Sequence, residues 1–154
     1  KIDDAGEQWR FSLVAFVFMP EHVHLLLWPH DDEPAIDSFL RDVKLPVSVF
    51  QKQLLVAHRS RLLKRLTVPT GGDQGQFRFW QKGPGYDRNL QTCEAVQGSM
   101  DYIHDNPVKR RLVQSPLDWR WSSAKFYATE GRHLDPLLPK ITPLPGQYWD
   151  TLRR

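Results

Sequence analysis

Met19-Pro20-Glu21-His22-Val23-His24-Leu25-Leu26-Leu27-Trp28 is the stretch on which the fold turns. It follows a second apolar run, Arg10 to Phe18, rich in Phe and Val, and Pro20-Glu21 punctuates the join. Two β-favouring runs across so tight a connection predict a β-hairpin. Side chains on a strand alternate faces, so His22 and His24 share one face and Val23 takes the other. Two imidazoles side by side on a rigid strand can grip a metal ion or a phosphate. The plainer reading is two polar residues on a half-exposed strand.

Outward from the hairpin, Pro29 to Pro34 forms a polar, acidic loop in which Asp31 or Asp32 can cap a following helix, with Pro34 in its first turn. Ile36, Phe39, Leu40 and Val43 then fall at helical spacing. Pro46 is expected to bend or split that helix, because it lacks an amide proton and its ring crowds the preceding turn. The pattern resumes from Val47 to about Leu66. Val68 to Gly75, with Pro69, Gly71, Gly72 and Gly75, reads as a loop. Phe77-Arg78-Phe79-Trp80-Gln81 alternates bulky and polar residues and predicts a strand, broken by Gly83-Pro84-Gly85. Thr92 is a natural N-cap for a helix that should stop near Asp105, since the residue before Pro107 resists helical angles.

Strand, strand, helix, strand, helix implies an α+β chain: a ferredoxin-like antiparallel sheet with helices packed on one face. That plan usually begins with a further strand and helix, so the chain reads as entering at the second strand and lacking its first strand and helix. Residues 1–133 are expected to form one domain. Residues 134–154, with Pro136, Pro139, Pro143 and Pro145, read as a proline-rich C-terminal tail.

With 154 residues, 40% hydrophobic and 25% charged, the chain has the make-up of a soluble globular domain. No apolar run approaches membrane-spanning length, and Lys1-Ile2-Asp3-Asp4 places acids where a secretory signal would turn apolar. One cysteine, Cys93, excludes an internal disulfide and a cysteine-cluster metal site, and suits a cytoplasmic home. The excess of basic over acidic residues lies in residues 77–154. Lys52, Arg59, Arg61, Lys64 and Arg65 occur with no acid between them, and Lys109-Arg110-Arg111 are consecutive. Such clusters suit a polyanion such as nucleic acid, or else form a solvated helix face and a loop.

The helix after Thr92 carries Tyr102 and Asn106, four residues apart and so on one face. A tyrosine at such a position is ordinarily a core or edge residue. In combination with a metal that polarises a phosphate, its hydroxyl can act as a covalent nucleophile on phosphorus. Two strand histidines can supply the metal, and a side-chain amide one turn from the tyrosine can add an oxygen ligand.

Four blocks follow in order: Pro20-Glu21-His22-Val23-His24; Phe79-Trp80-Gln81-Lys82 with Asp87-Arg88-Asn89; Asp101-Tyr102-Ile103-His104-Asp105-Asn106-Pro107-Val108-Lys109; and Asp118-Trp119-Arg120-Trp121-Ser122-Ser123. In this the chain resembles the single-tyrosine HUH transposases, and most closely the REP-associated tyrosine transposases of bacteria, over roughly residues 10–127. The resemblance implies the HUH endonuclease version of the fold. It implies that His22 and His24 bind a divalent metal, Mg²⁺ or Mn²⁺, that Asn106 stands where the family places a third polar ligand, and that Tyr102 is the nucleophile. The implied reaction is metal-dependent cleavage and rejoining of single-stranded DNA next to a hairpin, through a 5′-phosphotyrosine. The implied partner is single-stranded DNA with a palindromic hairpin, bound by a monomer or a homodimer with no membrane involved. Gly83-Pro84-Gly85 departs from the family in standing where relatives often have a shorter turn.

Arg78, Lys82, Arg88, Lys109, Arg110, Arg111 and Arg120 are candidate phosphate contacts, which set affinity rather than sequence choice. Trp80 and Trp121 can stack on exposed bases, or pack in the core. A histidine-triad phosphohydrolase would need a third histidine two positions along the strand, where Leu26 stands. The remaining alternative is a protein that binds hairpin DNA without cutting it.

Overall fold

The computed structural model describes residues 1–70, 72–83 and 85–144. Gly71 of the expected loop, Pro84 of the expected turn and the tail from Pro145 onward lie outside the described residues. The chain forms two compact units. The first joins residues 1–9 to residues 35–88, and the second joins residues 10–34 to residues 89–154.

The first unit opens with a helix, α1 (Ile2–Trp9), which corrects the expectation that no helix precedes the hairpin. An eight-residue helix is marginal alone. It is held by packing on α2 (Ile36–Ala57): Ala5 is buried, and the Trp9 indole donates to the Asp42 carboxylate at 2.8 Å. α2 continues as one helix through Pro46, so the split is absent. Two residues before the proline, the Lys44 carbonyl accepts the Trp80 indole at 2.8 Å. The helix ends at Ala57, and α3 (Arg61–Arg65) starts afresh on Ser60, whose hydroxyl accepts from the Leu62 amide.

The segment read as a loop is instead a hairpin, β3 (Thr67–Thr70) with β4 (Gly72–Phe77), paired Thr67 to Phe77 and Val68 to Gln76. Gly75 explains why a glycine-rich run can pair so closely. A Cβ there would lie 2.7 Å from the Thr67 methyl and 3.0 Å from the Val68 carbonyl oxygen. The strand predicted over residues 77–81 contributes only Phe77 to β4, although the Arg78 amide still bonds the Leu66 carbonyl at 2.7 Å. Gly83 and Gly85 both sit at positive φ, as their reading as a break requires.

In the second unit, β1 (Phe11–Phe18) and β2 (Val23–Pro29) form the predicted antiparallel hairpin. The Met19 amide closes it on the His22 carbonyl at 2.9 Å around Pro20-Glu21. The register slips at Val14, and the Tyr127 hydroxyl donates to that residue's carbonyl at 2.7 Å. The far edge of β1 is covered by the Trp119–Ser123 segment. Val17 bridges Ser122, the Phe18 amide bonds the Trp121 carbonyl, and the Ser123 amide bonds the Phe16 carbonyl. Helix α4 (Cys93–Lys109), capped by the Thr92 hydroxyl, packs Val96, Met100 and Ile103 against Val14, Ala15 and Val17. A short 3₁₀ turn at Pro116–Asp118 and α5 (Ala124–Ala128) complete the unit. The start of the tail is irregular, and its Thr142 amide bonds the Leu13 carbonyl.

The α+β class and antiparallel pairing expected from the sequence are observed. The described strands are shared between two ladders, one in each unit.

Candidate active site

His22 closes the β1–β2 turn and His24 stands one pleat further along β2, paired with Val17. Their rings lie edge to face with centroids 4.8 Å apart, so the shared face expected from strand alternation is present. α4 crosses this end of the hairpin and brings two residues of one helical face to it. The Tyr102 ring meets His24 edge to face at 5.4 Å. One turn on, the Asn106 amide nitrogen lies 3.2 Å from His24 Nε2. Asn106 is buried, whereas Tyr102 is 49% exposed and its hydroxyl has no hydrogen-bond partner among the described residues.

α4 continues through Pro107, against the stop expected before it. Pro107 is fully buried, and the backbone closes around it through bonds from the Arg110 amide to the Asn106 carbonyl and from the Leu112 amide to the Pro107 carbonyl. The added turn places Lys109 seven residues after Tyr102, on the same face. Its ammonium lies 4.8 Å from the centre of the Tyr102 ring and 4.0 Å from the Asp105 carboxylate. Arg110, the C-cap, is paired with the Glu21 carboxylate of the hairpin turn. Arg111 follows at positive φ, exposed.

Burial, and then the charge of neighbouring His22, hold the His24 ring below the ordinary histidine pKa. A neutral ring keeps a lone pair available to a donor or a metal. With the Asn106 amide nitrogen facing it, His24 accepts at Nε2. Turning the amide over presents Asn106 Oδ1 to the same place. Two imidazoles and an amide oxygen fit a divalent first-row ion better than Mg²⁺, which prefers an all-oxygen shell. Among the described residues no group of three or more His, Cys, Asp or Glu side chains gathers into a metal-sized cluster. The side chains that could hold an ion here are therefore His22, His24 and Asn106.

The other candidates fall elsewhere. Arg120 makes a two-pronged pair with Asp135 and stacks on Trp121, which is 43% exposed and whose backbone carbonyl serves the β1 edge. Trp80 is half-buried, bonded to Lys44 and packed on Phe79 at 5.0 Å, so in the first unit it is a packing residue. Arg78 is tied to Gln76, while Lys82 and Arg88 are exposed. Arg78, Trp80, Lys82 and Arg88 belong to the first unit, and the histidines, Tyr102, Asn106, Lys109 to Arg111, Arg120 and Trp121 to the second.

Two features had no signal in the sequence. Glu21 and Arg110 are 89 residues apart. His104, which a surface position would have left to solvent or ligand, bonds the Ser123 hydroxyl at 2.8 Å, and burial lowers its pKa. Ser123 also takes the Phe16 amide at 3.0 Å, locking α4 to β1 behind the site.

No protein-family model matches the chain. A Haemophilus influenzae protein provisionally named a REP-associated tyrosine transposase is 30% identical over 118 residues, which are 76% of this chain and 61% of that protein. The REP-associated tyrosine transposase of Escherichia coli K12 is 27% identical over 127 residues, 82% of this chain and again 61% of the relative. The chain therefore spans about three fifths of the length of these curated relatives. A solved structure described as a REP-associated tyrosine transposase bound to a REP hairpin covers 93% of this chain and 72% of its own, with a TM-score of 0.54 at 21% identity; that likeness is one of fold. In sequence over three quarters of its length this chain is similar to a protein provisionally named a REP-associated tyrosine transposase, and over nearly all of its length it is similar in fold to a solved one.

Proposed function

We propose that this chain cleaves and rejoins single-stranded DNA beside a REP-like hairpin, as a transposase, through a 5′-phosphotyrosine intermediate and with Mg²⁺ or Mn²⁺ as cofactor. The observation that carries the reading is the meeting of Tyr102, His24 and Asn106 on one site, with the tyrosine open to solvent. The transposase names of the curated relatives, and the hairpin bound by the protein of like fold, support the same choice of substrate.

In this reading the Tyr102 hydroxyl attacks the scissile phosphorus. The new O–P bond forms as the bond to the neighbouring 3′-oxygen breaks, the phenolic proton passes to water, and the 3′-oxygen leaves as a free hydroxyl. Reversal rejoins the strand, because the phosphotyrosine ester conserves the energy of the broken bond. His22, His24 and Asn106 would hold the metal, which when bound polarises the phosphate oxygens. Lys109 supplies positive charge beside the nucleophile, and Lys109, Arg110 and Arg111 hold the backbone without reading bases. Among the described residues no helix is long and apolar enough to cross a membrane. The reading places the protein in the cytoplasm with its DNA, as a monomer or a homodimer.

The test is a hairpin oligonucleotide with single-stranded flanks, incubated with protein and Mn²⁺ and run on a denaturing gel. Wild type forms an adduct that survives denaturation, and the adduct carries the fragment downstream of the cut, joined through its newly made 5′ phosphate. Hairpin binding with no adduct would leave a DNA-binding protein without chemistry.

A further inference from the structure

We infer that Glu21 is a stand-in for substrate: its carboxylate occupies Arg110 in the free protein and is exchanged for a DNA phosphate on binding. The inference rests on the proposed role of the site in binding a DNA strand. The pair joins the turn that carries His22 to the end of the helix that carries Tyr102 and Asn106, so Arg110 stands at the rim of that site. Both partners are about half exposed, at 56% and 46% of their side-chain surface, so an incoming strand can reach the guanidinium without unfolding anything. A guanidinium pairs with a carboxylate or a phosphate through the same flat fork of donors, which makes the exchange chemically even. An exposed pair of this kind is weak and yields readily to a polyanion.

The neighbours share the pattern. Lys109 faces the Asp105 carboxylate, whereas Arg111 has no acidic partner among the described residues. Two of the three consecutive bases thus start with a carboxylate in place. Glu21 differs from Asp105 in lying on a different element. When the phosphate takes Arg110, the hairpin turn and α4 lose a tie that the DNA strand itself then replaces.

The experiment measures affinity for an oligothymidylate strand at low salt, since phosphate contacts do not depend on sequence or on a hairpin. Wild type, Glu21→Gln, Arg110→Gln and the double variant form a cycle. Exchange predicts that Glu21→Gln tightens binding by up to about fivefold when Arg110 is present, the range of an exposed ion pair, and changes nothing when Arg110 is Gln. Equal tightening in both backgrounds would show that Glu21 merely repels DNA. Weaker binding with a lowered melting temperature would show that the pair is a structural strap. Either result, or a wild type that fails to bind the strand, overturns the inference. An absent phosphotyrosine adduct would overturn the proposed chemistry and leave this cycle standing.

Discussion

The Asn106 amide nitrogen lies 3.2 Å from Nε2 of His24, which ties the last turn of α4 to the second strand at the point where both carry the residues of the site. One turn earlier on α4, the Tyr102 ring packs against the same imidazole. Asn106→Leu is expected to lower thermal stability by about 1–3 kcal/mol, the cost of leaving a buried polar group without its partner. It should also weaken Mn²⁺ binding, as should His22→Ala. Calorimetric titration with Mn²⁺ alongside a melting curve separates the two effects.

Tyr102→Phe removes one oxygen and keeps the ring against His24. Covalent attachment to DNA should disappear while hairpin affinity stays within about twofold, because the lost hydroxyl makes no bond among the described residues. A denaturant-stable adduct formed by the variant would assign the nucleophile elsewhere.

Neutralising Lys109, Arg110 and Arg111 together should flatten the dependence of log affinity on log salt by up to about three units, at roughly 0.7–0.9 per phosphate contact. Sequences with and without the preferred hairpin should weaken by similar factors. An unchanged slope would mean that the three residues face only solvent in the complex.

Ser123→Ala strips partners from both the Phe16 amide and the His104 ring. The expected loss is about 2–3 kcal/mol of unfolding free energy, read from urea denaturation. Cleavage per folded molecule should fall as well, since the same hydroxyl locks α4 to β1.

Burial pushes the Tyr127 hydroxyl up to about 12. An unfolded chain ionises its tyrosines near the ordinary value of 10.0, so the folded state holds this proton longer. The contribution is complete below that value and is lost as pH rises from there towards the folded pKa. Urea midpoints measured across that window should fall more steeply for wild type than for Tyr127→Phe, which has no proton to lose.

The hairpin was legible because two signals agreed: a continuous β-favouring run on each side of Pro20, and the spacing of the two histidines. The Thr92 cap was equally plain. What the sequence misrepresented came from tertiary context overriding local rules. Pro46 and Pro107 are helix breakers by local preference, yet both sit inside helices because packing holds the turns around them. Gly75 reads as loop, yet it is the residue that lets β3 and β4 approach. At the site, His22, His24, Tyr102 and Asn106 were visible as types and spacings, and through family resemblance. Their convergence was expected from strand and helix periodicity together with that resemblance, whereas the position of Lys109 was not, since it follows from the turn added beyond Pro107. Trp80 read equally as a base-stacking or a packing residue, and no local pattern announced that its indole bonds a helix carbonyl in its own unit.

The second unit is discontinuous in the chain: it is left after Pro34 and rejoined at Asn89, and every residue of the candidate site lies within it. The intervening segment, with its long helix and glycine-containing hairpin, folds with residues 1–9 into the other unit. A change of length there is therefore expected to leave the distances among His22, His24, Tyr102 and Asn106 as they are.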